Sequence, residues 1–225
     1  MRSIFLKPLL VLAAIALIAG CATQKTPYDY SAFERNNPTS ILVLPPVNTS
    51  PDIKASYSVL SQVTYPLAEA GYYVLPVAVV DETFKQNGLM NADEMHMAPP
   101  AKLREIFGAD AALYIEVSRY GSSYKVLTSE VAVEASGKLV DLRSGDVLWE
   151  GRALASTAEN QNNSGGGLVG MLITAAVNQI VNSLSDRSHE VAGIASHRLL
   201  TANRPDGILS GPRSPLYKQT RLANR

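Results

Sequence analysis

The chain has 225 residues, enough for one domain with extensions. Its 20 Lys+Arg and 20 Asp+Glu cancel, which excludes a general basic footprint for nucleic acid. A hydrophobic content of 46% excludes wholesale disorder, and a single cysteine excludes an internal disulfide framework or a cysteine-rich zinc site.

Residues 1–20 read as a cleaved signal peptide. Arg2 and Lys7 supply a positive start, and an apolar run over 8–20 ends in small residues. As a helix that run would rise about 20 Å, short of the ~30 Å hydrocarbon core of a bilayer. Ile18-Ala19-Gly20-Cys21 resembles the bacterial lipobox. The resemblance implies diacylglycerol on the Cys21 thiol, cleavage between Gly20 and Cys21, and acylation of the new amine. One acyl chain anchors marginally and two anchor stably. Ala22 stands where such lipoproteins commonly carry the Asp that retains them at the inner membrane, which points to the outer membrane.

Residues 21–38 read as the acylated anchor and a tether, with an r.m.s. reach of roughly 25 Å if flexible. Tyr28, Tyr30 and Phe33 leave open a second reading, in which this segment packs on the domain. The domain itself is expected over 39–202. Ile41-Leu42-Val43-Leu44, stopped by Pro45-Pro46, fits a strand buried on both faces. Val59, Leu60, Val63 and Leu67 recur at helical spacing, with Pro66 expected to kink or divide that helix and Gly71 to end it. Tyr72–Val77 reads as a second strand, with Pro76 at its end or on an edge. Asp81 is placed to cap a short helix through Lys85, and 88–98 is loop-like. Pro99 or Pro100 starts a helix ending at Gly108.

The period then changes. Ala112–Val117 reads as a strand, Val131, Val133 and Ala135 alternate in the next, and Arg143–Asp146 turns into a third over Val147–Gly151. Residues 159–167 are polar and Gly-rich. Leu168–Leu184 is the most apolar helix after the leader, with Met171 and Leu172 off its apolar face, and a last helix covers roughly 188–200. Residues 203–225 read as an extended or disordered tail. The fold class is therefore α/β: a mixed sheet with two β-α units, then an antiparallel meander and C-terminal helices.

Reactive chemistry is sparse. Gly165-Gly166-Gly167-Leu168-Val169-Gly170 matches G-x-G-x-x-G in letters, but no strand precedes it, so it is no dinucleotide fingerprint. Gly166 and Gly170 also match the G-x-x-x-G helix-dimer pattern, which has meaning in a membrane span. A core helix behind a flexible loop is the plain reading of this segment; a helix exposed to a partner or a second subunit is the sharper one. His96, His189 and His197 are scattered. The last two lie about 12 Å apart along one helix, too far to share a metal, and all three read as surface or capping groups. Asp81/Glu82 and Asp93/Glu94 read as caps and solvated loops. The ten tyrosines, among them Tyr57, Tyr65, Tyr114, Tyr120 and Tyr124, fit core-edge packing or an interface. No catalytic, cofactor or metal residue is expected.

The segments SILVLPPVNTSPDIKASY, YPLAEAGYYVLPV, LVDLRSGDVLWEGRA and GGGLVGMLITAAVNQIVNSLSDR resemble a family of bacterial lipoproteins of unknown function, one member of which is a meningococcal antigen candidate. The match is specific at Leu44-Pro45-Pro46-Val47-Asn48 and at the Asp141–Trp149 hairpin. More distantly, the opening strand–helix–strand is similar to the curli-secretion lipoprotein, the penicillin-binding-protein activator lipoprotein and the N-terminal domain of TolB. The resemblance implies an α/β fold without catalysis. It implies an outer-membrane, periplasm-facing, non-enzymatic interaction module with protein partners in an envelope transport or secretion complex. A regulator of a peptidoglycan synthase is the alternative, and an enzyme of unrecognised type stands third. A homo-oligomer, a dimer first, is expected through Met171 and Leu172.

Cys21→Ser is expected to abolish fatty-acid labelling and to release the protein from membranes; unchanged labelling would reject the lipobox. Met171→Asp with Leu172→Asp is expected to convert an oligomer to folded monomer in sedimentation. A wild type that is already monomeric at micromolar concentration, or a double variant that unfolds, would reject that interface.

Overall fold

In a β-strand successive side chains point to opposite faces, so an uninterrupted apolar run is stable only where both faces are covered. Ile41 and Val43 enter one hydrophobic cluster and Leu42 and Leu44 another, all four fully buried. The sheet between these clusters organises the chain. The structure, a computed structural model, describes residues 28–125, 128–161, 187–202 and 204–219. The leader with Gly20 and Cys21, the glycine-rich 165–170 and the 168–184 helix with Met171 and Leu172 lie outside the described residues.

In chain order the elements are α1 (Ser31–Asn36), β1 (Ser40–Val43), β2 (Val47–Asn48), α2 (Ala55–Glu69), β3 (Tyr73–Val74), α3 (Val77–Gln86), α4 (Ala92–His96) and α5 (Pro100–Phe107). Then come β4 (Ala111–Lys125), β5 (Thr128–Asp141), β6 (Val147–Ser156), a 3-10 turn (Thr157–Gln161) and α6 (Arg187–Leu200). The sheet order is β3-β1-β4-β5-β6, with β2 beside β4. β1 is parallel to β3 and β4, whereas β4, β5 and β6 form an antiparallel meander. This is the mixed α/β sheet read from the sequence.

One face is covered along the sheet. Val59, Val63 and Leu67 of α2 and Val191, Ala195 and Leu199 of α6 pack over Leu113, Ile115, Val133, Leu139 and Trp149. The other face is covered over its parallel half, where Val80, Phe84, Met95 and Leu103 of α3–α5 sit on Leu42, Leu44 and Ala112. On the outer face of the meander Glu116, Lys138, Glu150 and Arg152 are exposed.

Several local expectations are corrected. α2 runs undivided through Pro66, which is buried with Leu67 in the last turn. A proline there forfeits a single backbone bond near the helix end, and the packing of that turn outweighs it. Strand β3 is two residues long, and Pro76 is the N-cap of α3 rather than the end of a strand. Asp81 therefore lies inside α3, where it pairs with Lys85 at 2.7 Å. The β-branched Val77, Val79 and Val80 favour strand, but Val80 and Phe84, four apart, reach the core only from a helix. Residues 92–96 form a helix, not a loop, because Asn91 accepts from the Glu94 backbone N–H at 3.0 Å and Met95 is buried.

Both ends of the domain reach further than 39 and 202. Of the two readings of the tether, packing holds from Tyr28 onward: Phe33 is fully buried, and Tyr30 donates to the Gly207 carbonyl at 2.5 Å. The segment after α6 is a run of turns and irregular chain, and its described residues belong to the body. Ile208 and Leu209 are buried, Tyr72 donates to the Leu209 carbonyl at 2.6 Å, and the Gly211 N–H donates to the Ala70 carbonyl at 2.7 Å. Gly71 ends α2 with φ +93°, and a Cβ there would lie 2.3 Å from the Ser214 nitrogen. Only glycine admits this crossing of the tail.

Trp149 sits where these pieces meet. Its indole lies over the cross-strand pair Gly137 and Gly151, and its Nε1–H donates to the Asp206 carbonyl at 2.9 Å. A Cβ on Gly151 would lie 2.2 Å from Trp149 Cζ2. Gly151→Ala should therefore lower stability by about 1–3 kcal/mol, the usual range for overpacking. Urea unfolding would show it as a reduced midpoint, and an unchanged midpoint would mean that the indole can move aside freely.

Candidate functional site

Helices α3–α5 stop short of the meander, and an open groove of about 950 Å³ lies between them and the outer face of β4–β6. Its floor is set by strand register. Tyr114, Lys138 and Glu150 lie side by side across β4, β5 and β6, and Glu116, Ser136 and Arg152 form the next row. Beyond the groove a third row holds Arg119, Glu134 and Leu154. Opposite charges alternate along and across these rows. Arg152 reaches Glu134 at 3.6 Å, Arg119 reaches Glu130 at 3.4 Å, and Lys138 lies 5.8 Å from the centre of the Tyr114 ring. Exposed pairs of this kind add little to stability, about 0–1 kcal/mol each.

The wall comes from the end of α4 and the turn into α5. His96 packs edge-on against Tyr114, with ring centroids 5.2 Å apart. Its Nε2 lies 3.0 Å from the Pro45 carbonyl, an acceptor, so Nε2 carries the proton and Nδ1 is the lone-pair nitrogen. Burial lowers the pKa of His96 and favours this neutral ring, against the opposing pull of the Pro45 carbonyl. Burial likewise raises the pKa of Tyr114 and keeps it a phenol. Met97 is 80% exposed on the same rim, beside Pro99, Pro100 and Val47, with Val147 across the groove.

A second polar cluster lies between α2, α6 and β4. Tyr120 donates to Ser58 Oγ at 2.8 Å, Ser58 Oγ lies 2.8 Å from His189 Nδ1, and the Gln62 amide nitrogen lies 2.7 Å from His189 Nε2. This chain of hydrogen bonds ties α6 to α2 and to β4. Among the described residues no group of three His, Cys, Asp or Glu side chains could hold a metal ion.

The sequence-derived candidates Gly20, Cys21, Met171 and Leu172 lie outside the described residues. Of the histidines read as surface or capping groups, His96 lines the groove half-buried, His189 bridges two helices, and His197 bonds Thr201 four residues on. Among the tyrosines, Tyr57 and Tyr65 are exposed, Tyr120 is buried and Tyr114 is a groove residue. No sequence motif marked Tyr114, Glu116, Lys138, Glu150 or Arg152. The available signal was the polar, period-two side of the meander.

The family described as "Putative lipoprotein GNA1162-like" matches residues 28–213, and the chain belongs to it. "Putative lipoprotein NMB1124/NMB1162" of Neisseria meningitidis serogroup B is 51% identical over 210 residues, covering 92% of this chain and 97% of that protein. The crystal structure of lipoprotein GNA1162 from Neisseria meningitidis is 53% identical and has a TM-score of 0.53, covering 65% of this chain and 100% of that chain. A PelC dodecamer from Paraburkholderia phytofirmans is 15% identical with a TM-score of 0.43, over 71% of this chain and 83% of that chain. The family resemblance read from the Leu44–Asn48 segment and the Asp141–Trp149 hairpin is the family that matches.

Proposed function

We propose that this lipoprotein-family member is a non-enzymatic interaction module, anchored in the outer membrane by acylated Cys21 and facing the periplasm. It holds a protein component of an envelope transport or secretion complex against the outer face of β4–β6. The observation that carries this reading is the walled groove on the one part of the sheet that the described helices leave open.

The charge pattern narrows the occupant. With Glu116 and Glu150 balanced by Lys138 and Arg152, a polymer of one sign would meet as much repulsion as attraction. A polypeptide segment with both signs, and apolar side chains for Met97, Val47 and Val147, matches the surface. The groove is near the upper end of the ~300–1,000 Å³ usual for ligand clefts, and its exposed apolar rim suits a protein contact. Self-association through Met171 and Leu172 remains part of this proposal, with a dimer as the default symmetry.

A photo-reactive side chain placed at Ser136 in the full-length protein tests the reading in cells. We expect a cross-linked adduct that falls at least five-fold when Lys138→Glu and Arg152→Glu are added. Folding should change little, since these are surface positions. An adduct indifferent to the reversal, or none at all, would overturn the docking face. Mass spectrometry of the adduct separates a transport component from a peptidoglycan synthase.

A further inference from the structure

The first described residues are held firmly to the sheet and to the tail. The Tyr28 hydroxyl accepts from the Glu150 N–H at 2.8 Å, the Tyr28 and Tyr30 rings lie 4.7 Å apart, and Tyr30 is bonded to Gly207. Burial pushes the pKa of Tyr30 up to about 12, so that donor is held over the ordinary pH range. Fully buried Phe33 follows within the same turn of chain. The leash to the lipid is then not a long tether. Seven Cα steps separate Cys21 from Tyr28. At 3.3–3.6 Å per residue they span at most about 25 Å, whatever their conformation.

The described residues, roughly 160 of them, make a compact body with a radius of gyration of about 15 Å, thus about 40 Å across. The root of the leash cannot rise from the bilayer by more than about half to two-thirds of that width. The leash is rooted at the β6 edge that bounds the groove: Tyr28 packs against the inner-face cluster while its hydroxyl accepts from the Glu150 N–H, and the Glu150 side chain lines the groove on the other face. We infer that the groove is kept at the surface of the anchoring membrane, and that its partner is a component of that same membrane rather than of the opposite one. The inference rests on the proposed acylation of Cys21 and on the proposed docking face.

The sign of a leash-length effect tests it. A forty-residue Gly/Ser spacer inserted between Ala22 and Thr23 lengthens the leash without touching the body. For a partner in the same membrane, the effective concentration falls roughly as the −3/2 power of length, more than ten-fold here. A partner across the periplasm would instead come into reach. The measurement is the yield of the Ser136 adduct in the full-length, lipidated protein, with and without the spacer, alongside fatty-acid labelling of Cys21. A several-fold fall is expected. An unchanged or increased yield with labelling intact overturns the same-membrane partner and leaves the docking face standing. Loss of labelling or of the adduct in both forms overturns the anchor or the docking reading, and this inference with it.

Discussion

Trp149 is the contact on which the rest of the body converges. A buried indole removes some 150–250 Å² from water, but only if a flat space exists and its N–H finds an acceptor. Gly137 and Gly151, paired across β5 and β6, provide the space by carrying no side chain on the inner face. Asp206 provides the acceptor. The first condition sets the composition of two strands, and the second pulls the chain after α6 back onto the sheet. Once that segment is held, Ile208 and Leu209 are buried and Tyr30 and Tyr72 gain carbonyl acceptors. The two ends of the body are therefore stabilised together: the N-terminal aromatics lean on a tail that Trp149 fixes.

The legible part of the fold was the part in which hydrophobic period and punctuation agree. Strand β1 shows through the apolar run Ile41–Leu44, stopped by two prolines, and α5 is bounded by Pro100 and Gly108. Elsewhere a stronger tertiary term overrode local preference. The polar stretch Gly121-Ser122-Ser123 is poor strand material, yet β4 runs through it because β5 supplies a ladder partner for each residue. The tail was illegible for a different reason. Part of its hold comes from Tyr30, Trp149 and Tyr72, far away in sequence, which donate to the Gly207, Asp206 and Leu209 carbonyls, and the tail's own composition does not record those donors.

The groove was hidden by one residue of register. Val140 pairs with Val147, whereas Leu139 pairs with Trp149, so the ladder shifts between them. Counting outward from the Arg143–Asp146 turn without that shift would set Lys138 opposite Trp149, on the wrong face. With the bulge, Lys138 meets Glu150 and Ser136 meets Arg152, and the polar side of the meander comes into line. The same irregularity lets Trp149 face inward beside buried Leu148. Core and groove thus depend on a single defect in the ladder, whose presence no local motif announced.

The way the sheet ends decides how a partner can use it. An unguarded edge strand invites another strand to pair, and β6 is an edge. Here two of its outward backbone groups have other partners: the Glu150 N–H is taken by Tyr28, and the Leu154 carbonyl accepts from Arg198 at 2.7 Å. Arg198 is in turn held by Glu159 at 2.9 Å. A strand added to β6 would have to displace a residue at the root of the leash and a paired arginine. The opposite edge, β3, is two residues long and offers little ladder. The proposed docking therefore falls to the face, where side chains rather than backbone would make the contacts, and its specificity would come from the alternation of Glu116, Lys138, Glu150 and Arg152, exposed above a core that substitutions there do not touch.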